Sequence, residues 1–284
     1  MRWQGRGGSG NIEDRRGMGG GGGMAAGGGI GAVVIGLIYF LLTGDPSGVQ
    51  VPAAGGAGDR SAQSAPVDPA TDSLGQFVST VLRDTEITWG EIFRQQGETY
   101  QEPRLVLFQQ RVESACGSAS TAVGPFYCPG DQKVYIDLAF YDQMRRQLGA
   151  PGDFAQAYVI AHEVGHHIQT LTGVSQQVNA ASQRVGEAER NRLSVMQELQ
   201  ADCYAGVWAH HAEARQPWLE PGDIEEALTA ASAIGDDTLQ RKAQGHVQPE
   251  SFTHGTSAQR MRWFRRGFDT GNVDQCNTLE ATSL

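Results

Sequence analysis

The chain has 284 residues, enough for one or two domains, of which 39% are hydrophobic and 8% aromatic. Its formal net charge of −10 argues against a nucleic-acid partner and against a broad electrostatic contact with a membrane. Four cysteines with no C-x-x-C spacing favour disulfides over a thiolate metal site.

Residues 1–23 are glycine-rich and polar, with Arg2, Arg6, Arg15 and Arg16 against Glu13 and Asp14. This composition predicts a disordered cytoplasmic tail. Residues 24–43, MAAGGGIGAVVIGLIYFLLT, carry no charge. About 20 such residues can span a bilayer as a helix, and the arginines before them predict a cytoplasmic N-terminus. A cleaved signal peptide needs small residues close behind its apolar core; Ala53 and Ala54 are too distant, so one uncleaved membrane helix is expected. Residues 44–72, rich in Gly, Ala, Pro and Ser, read as a flexible linker. The remainder, 73–284, is predicted to be one domain facing the periplasm or the cell exterior.

Within that domain, helices are predicted over 74–82 and 85–96, with Asp84 as N-cap of the second. Strands follow over 105–112, 121–127 and 133–138, the last two joined by a turn at Pro129, Gly130 and Asp131. Helical patterns cover 138–147, 154–173, 175–186, 187–214 and 223–233. A short helix opens at 235–237 and a final one at Ala258. The fold class is α+β, mainly helical with a small sheet.

The helix over 154–173 carries the chemistry. Its apolar residues recur at three-four spacing, and it contains His162, Glu163 and His166 as H-E-x-x-H. Residues four apart share a helix face, so two imidazoles can reach one Zn2+ ion. Glu163 lies beside them as a candidate proton acceptor for an activated water. His167 is turned about 100° away and does not share that face. Glu198 and Asp202, four apart on a later, apolar helix, are the expected third ligand and an orienting carboxylate. His254, in a Thr/Ser/Gly-rich loop, is either an oxyanion donor or part of the cap of the helix at Ala258. Cys116 with Cys128, and Cys203 with Cys276, are the candidate disulfides. The segment 121–138 is the candidate strand for pairing with an extended substrate. The arginines of the last helix, Arg260, Arg262, Arg265 and Arg266, are expected to pair with carboxylates.

Taken together, these residues resemble a bacterial family of putative neutral zinc metallopeptidases with an N-terminal membrane helix. The matching stretches are C-G-S-A at 116–119, G-P-F-Y-C-P at 124–129, V-Y-I-D-L at 134–138, A-H-E-V-G-H-H at 161–167, E-L-Q-A-D-C-Y-A-G-V-W-A at 198–209 and T-H-G-T-S-A-Q-R at 253–260. The resemblance implies a zincin-type domain with His162, His166 and Glu198 on zinc. It also implies a membrane-anchored endopeptidase acting on a protein or peptide substrate. A non-catalytic zinc scaffold and a zinc amidase acting on cell-wall material are the competing expectations. The sequence does not define an oligomeric state.

Overall fold

The computed structural model describes residues 1–17 and 72–284. The expected membrane helix at 24–43 and nearly all of the linker lie outside the described residues. Among those that are described, no helix is long and apolar enough to cross a membrane.

A four-stranded sheet sits beside a set of packed helices, so the domain is α+β and mainly helical. Its strands are β1 (Ile12–Asp14), β2 (Arg104–Phe108), β5 (Phe126–Cys128) and β6 (Lys133–Asp137), in the order β1-β2-β6-β5. The first three neighbours run parallel, and β5 returns antiparallel to β6. Four consecutive buried residues, Leu105, Val106, Leu107 and Phe108, make β2 a strand covered on both faces. Leu105 and Leu107 enter the main core; Val106 and Phe108 join a smaller cluster with Val112, Ala119 and Tyr135.

The single strand expected over 105–112 is two. Gln110 takes a left-handed φ of 67°, its amide donates to Asp137 Oδ2 at 2.8 Å, and the chain turns into the hairpin β3 (Arg111–Ser114) and β4 (Gly117–Ser120). The strand expected over 121–127 begins instead as a 3-10 turn, Thr121–Val123. Gly124 follows at φ 80° and Pro125 has no amide to donate, so pairing starts only at Phe126.

The helices are α1 (Ser73–Gln95), α2 (Ala139–Gln143), α3 (Asp153–Leu171), α4 (Val174–Ser182), α5 (Glu187–Arg215), α6 (Asp223–Ala233), α7 (Asp236–Gln244) and α8 (Ser257–Thr270). α1 is continuous where two helices were expected. Asp84 caps nothing: it is buried, accepting from Trp208 Nε1 at 2.9 Å and pairing with Arg215 at 2.8 Å. Asp72 caps α1 instead, its Oδ1 taking the Gly75 amide at 2.8 Å.

α5 and α8 cross at backbone distance. A Cβ on Gly206 would stand 2.1 Å from the Phe264 carbonyl oxygen, and one on Gly267 would stand 1.9 Å from that of Cys203. Both obstructions are backbone, so neither can swing aside. Replacing Gly267 by Ala is expected to cost about 3 kcal/mol through overpacking. Urea denaturation should show a lowered midpoint with an unchanged slope.

The disordered-tail expectation is corrected for residues 1–17, which are built into the body. β1 pairs with β2 in the register Ile12↔Leu105 to Asp14↔Leu107. The Met1 side chain is buried, and its ammonium lies 2.8 Å from Asp153, 3.1 Å from Glu220 and 3.4 Å from Asp223. Trp3 meets Phe77 edge-on at 5.4 Å, and Arg6 lies over the Trp218 ring at 4.2 Å. Glu86 accepts from Ser9 Oγ at 2.5 Å and from Asn11 Nδ2 at 2.9 Å. Composition alone missed this, because the order comes from contacts distant in sequence rather than from a local apolar period.

Glu13 fastens this segment. Burial raises its pKa, but Lys133 at 2.8 Å and Arg15 at 2.7 Å outweigh that and hold it down at about 2. A carboxyl depressed in the folded state stabilises above its unfolded pKa, and that stability is lost as pH falls toward the folded value. Acidification from about pH 4.5 to about 2 should therefore release β1. Hydrogen exchange at the Leu105 and Arg15 amides, which bond across the β1–β2 seam, should accelerate beyond the intrinsic trend over that range.

Candidate metal centre

α3 is buried nearly all round, from Phe154, Ala155, Ala157 and Tyr158 through Ala161 and Val164 to Ile168. Gly152 occupies its N-cap, and Asp153 turns its carboxylate to the Met1 ammonium. Its other end stops as its sequence predicts, with Gly173 left-handed at φ 82° just past Thr172. One turn apart on this helix, the His162 and His166 rings stand 4.8 Å apart and almost perpendicular.

α5 brings the third group. A Cβ on Gly165 would lie 3.0 Å from the Ala201 Cα, so α3 and α5 are in contact near the site. One turn before Ala201, Glu198 lies between the two imidazoles. Its Oε2 is 3.2 Å from His162 Nε2 and its Oε1 is 3.3 Å from His166 Nε2. One ligand atom from each of the three side chains falls within 4.8 Å of the others. Burial raises the Glu198 pKa, but His166 and His254 outweigh it and hold the carboxyl well below its usual range.

Each imidazole is steered from behind. Asp202 Oδ1 accepts from His162 Nδ1 at 2.8 Å. Gln169 Oε1 accepts from His166 Nδ1 at 2.9 Å, while its amide nitrogen donates to the Gln197 carbonyl at 2.7 Å and to Gln200 Oε1 at 3.0 Å. Both rings thus present Nε2 toward Glu198. The Gln169 contact follows from i, i+3 spacing on α3, a local relation the sequence carries.

Glu163 is buried beside the two histidines and lines a cleft of about 710 Å³. Burial pushes its pKa up, and His162 and His166 pull partly against that. His254 lines the same cleft from the loop before α8. Asp236 Oδ2 holds that loop by accepting three consecutive amides, Thr253 at 2.8 Å, His254 at 2.7 Å and Gly255 at 2.9 Å. The helix cap is supplied by Thr256, in a capping box with Gln259, so His254 is not needed for it.

His167, His210 and His211 bond to backbone carbonyls away from the cluster. His167 is buried, with Nε2 2.6 Å from the Gln101 carbonyl and Nδ1 3.1 Å from the Tyr127 hydroxyl. His210 and His211 donate to the carbonyls of Phe268 and Gly271 at the end of α8. Disulfides join Cys116 to Cys128 and Cys203 to Cys276, the second tying the C-terminal segment to α5. The candidate substrate segment divides: β6 is paired on both sides, whereas β5 is an outer strand of the sheet and its Phe126 and Tyr127 line the cleft.

Two imidazole nitrogens and one carboxylate suit zinc, a borderline ion commonly held by three such protein ligands with a fourth position left for water or substrate. The cleft beside them gives that position access, and the polar partners behind both histidines are those a zinc site requires.

The chain belongs to the family described as putative neutral zinc metallopeptidase, whose model matches residues 1–279. It is 50% identical over 295 aligned positions to the uncharacterized protein YpfJ of Escherichia coli K12, covering 98% of this chain and 99% of that protein. It is also 44% identical over 195 positions to the uncharacterized protein Rv2575 of Mycobacterium tuberculosis H37Rv, 65% of each chain. No solved structure matches.

Proposed function

We propose that the protein is a zinc-dependent endopeptidase of zincin type. The observation that carries this is the position of Glu163, buried against the His162–His166–Glu198 cluster and facing the cleft. A purely structural zinc site needs no carboxylate beside its ligands and no open cleft.

His162, His166 and Glu198 would hold the ion. Zinc, when bound, lowers the pKa of a coordinated water to about 7 and polarises a carbonyl. Glu163 would accept the proton of the attacking water and return it to the leaving amine. His254, which lines the same cleft, would donate a hydrogen bond to the oxyanion. β5 would offer an extended substrate its outer edge, in the cleft that Phe126, Tyr127 and Glu163 all line. That mode favours unfolded chains or peptides over folded proteins.

The two disulfides support an oxidising compartment, the periplasm or the cell exterior, as the place of work. The apolar run at 24–43 supports membrane attachment. Incubation of the zinc-loaded protein with an unfolded polypeptide is expected to give internal cleavage that stops on chelation and returns with zinc. Release of cell-wall fragments with no peptide-bond cleavage would assign the site to the amidase reading instead.

A further inference from the structure

Arg260 lies one turn into α8 and is 1% exposed, although it carries a charge and faces the metal cluster's side of the helix. Its guanidinium grips Asp202 with two parallel bonds, Nε to Oδ2 at 2.8 Å and Nη2 to Oδ1 at 2.9 Å. The Tyr158 hydroxyl donates to the same Oδ1 at 2.5 Å, and Arg260 Nη2 also reaches that hydroxyl at 3.3 Å. Asp202 is thus held by donors on both oxygens while it accepts from His162 Nδ1 at 2.8 Å.

We propose that Arg260 is a positioning residue for the metal site, fixing the plane of the Asp202 carboxylate and through it the orientation of the His162 ring. The fork matters more than the charge. A planar guanidinium engaging both oxygens sets the rotation of the carboxylate, which a single ammonium would leave free. With that rotation set, Oδ1 fixes which ring nitrogen of His162 points back, so Nε2 is the one presented to Glu198 and the metal. α8 itself is secured without Arg260. Thr256 and Gln259 cap it, Ser257 donates to Asp237 Oδ1 from its amide and its hydroxyl at 2.8 Å, and Gly206 and Gly267 seat it against α5. The guanidinium therefore works from a fixed base.

The inference rests on the zinc reading, and the test separates the two. Full-length parent, Arg260→Met, Arg260→Lys, Asp202→Asn and the double variant Asp202→Asn/Arg260→Met are compared for zinc affinity by chelator competition. Each is also compared for the visible spectrum of its cobalt-substituted form and for its circular dichroism. Arg260→Met is expected to lose about 10- to 100-fold in zinc affinity and to alter the cobalt spectrum while keeping its helical content. Arg260→Lys should fall between it and the parent. Because the two residues act in series, the double variant should match Asp202→Asn in affinity rather than add a second loss. That comparison also decides the matter if Arg260→Met alone does not fold. Unchanged affinity and spectrum in Arg260→Met, or a further loss in the double variant beyond Asp202→Asn, would overturn the positioning role. A parent that takes up no zinc would overturn the metal reading itself.

Discussion

Replacing Glu163 by Gln is expected to leave zinc bound at one ion per chain and to lower the turnover of a cleaved polypeptide by about 10³-fold. The amide has nearly the shape of the carboxylate but cannot accept a proton, and general-base catalysis contributes about 10²- to 10⁴-fold. Retained metal is expected because the Glu163 carboxylate lies outside the cluster formed by His162, His166 and Glu198. The substitution also removes an ionisable group from a buried position, so the variant should be at least as stable as the parent. Zinc analysis, thermal unfolding and single-turnover cleavage on the same preparation check all three statements. Full activity in a zinc-loaded variant would remove Glu163 from the mechanism.

Glu198→Ala has the opposite signature: the metal is lost first and activity follows. Only two imidazoles would remain, without the carboxylate that now sits 3.2 and 3.3 Å from their Nε2 atoms. The drop in zinc affinity should exceed the roughly 100-fold typical of removing an outer partner. Asp202 cannot take over, since it is fully buried and bound to Arg260, Tyr158 and His162. Zinc that stayed stoichiometric in Glu198→Ala after dialysis against a mild chelator would exclude Glu198 as a ligand.

How much of this was legible in the sequence differs by element, for physical reasons. α3 announced itself because a three-four apolar period, a terminal glycine and the H-E-x-x-H spacing all describe one local object. Glu198 was legible because a carboxylate on a helix that Leu199, Cys203, Val207 and Trp208 mark as buried demands a partner. Arg260 could be read only as an arginine in search of some carboxylate; that the partner is Asp202 depends on how α8 crosses α5. Asp84 misled, since an acid after an apolar helical turn looks like a cap until the distant Trp208 and Arg215 are placed against it. The hairpin after β2 was hidden because its break rests on a left-handed glutamine, a residue with little turn preference. Residues 1–17 were hidden most completely, because their partners in the body lie more than fifty positions away in the chain.

That last feature constrains how the chain can meet a membrane. While β1 is hydrogen-bonded to β2, residues 12–14 and 105–107 occupy the same compartment. The Arg16 guanidinium, moreover, pairs with Asp72, so residues 16 and 72 lie side by side. A path that starts and finishes on one face of a bilayer crosses it an even number of times. A tail in the cytoplasm with the body on the far side is an odd-parity arrangement, and it would require β1 to be released from its register with β2. Reporters attached before residue 12 and after residue 104 should fall on the same face while β1 is paired, and on opposite faces only in a form that has released it.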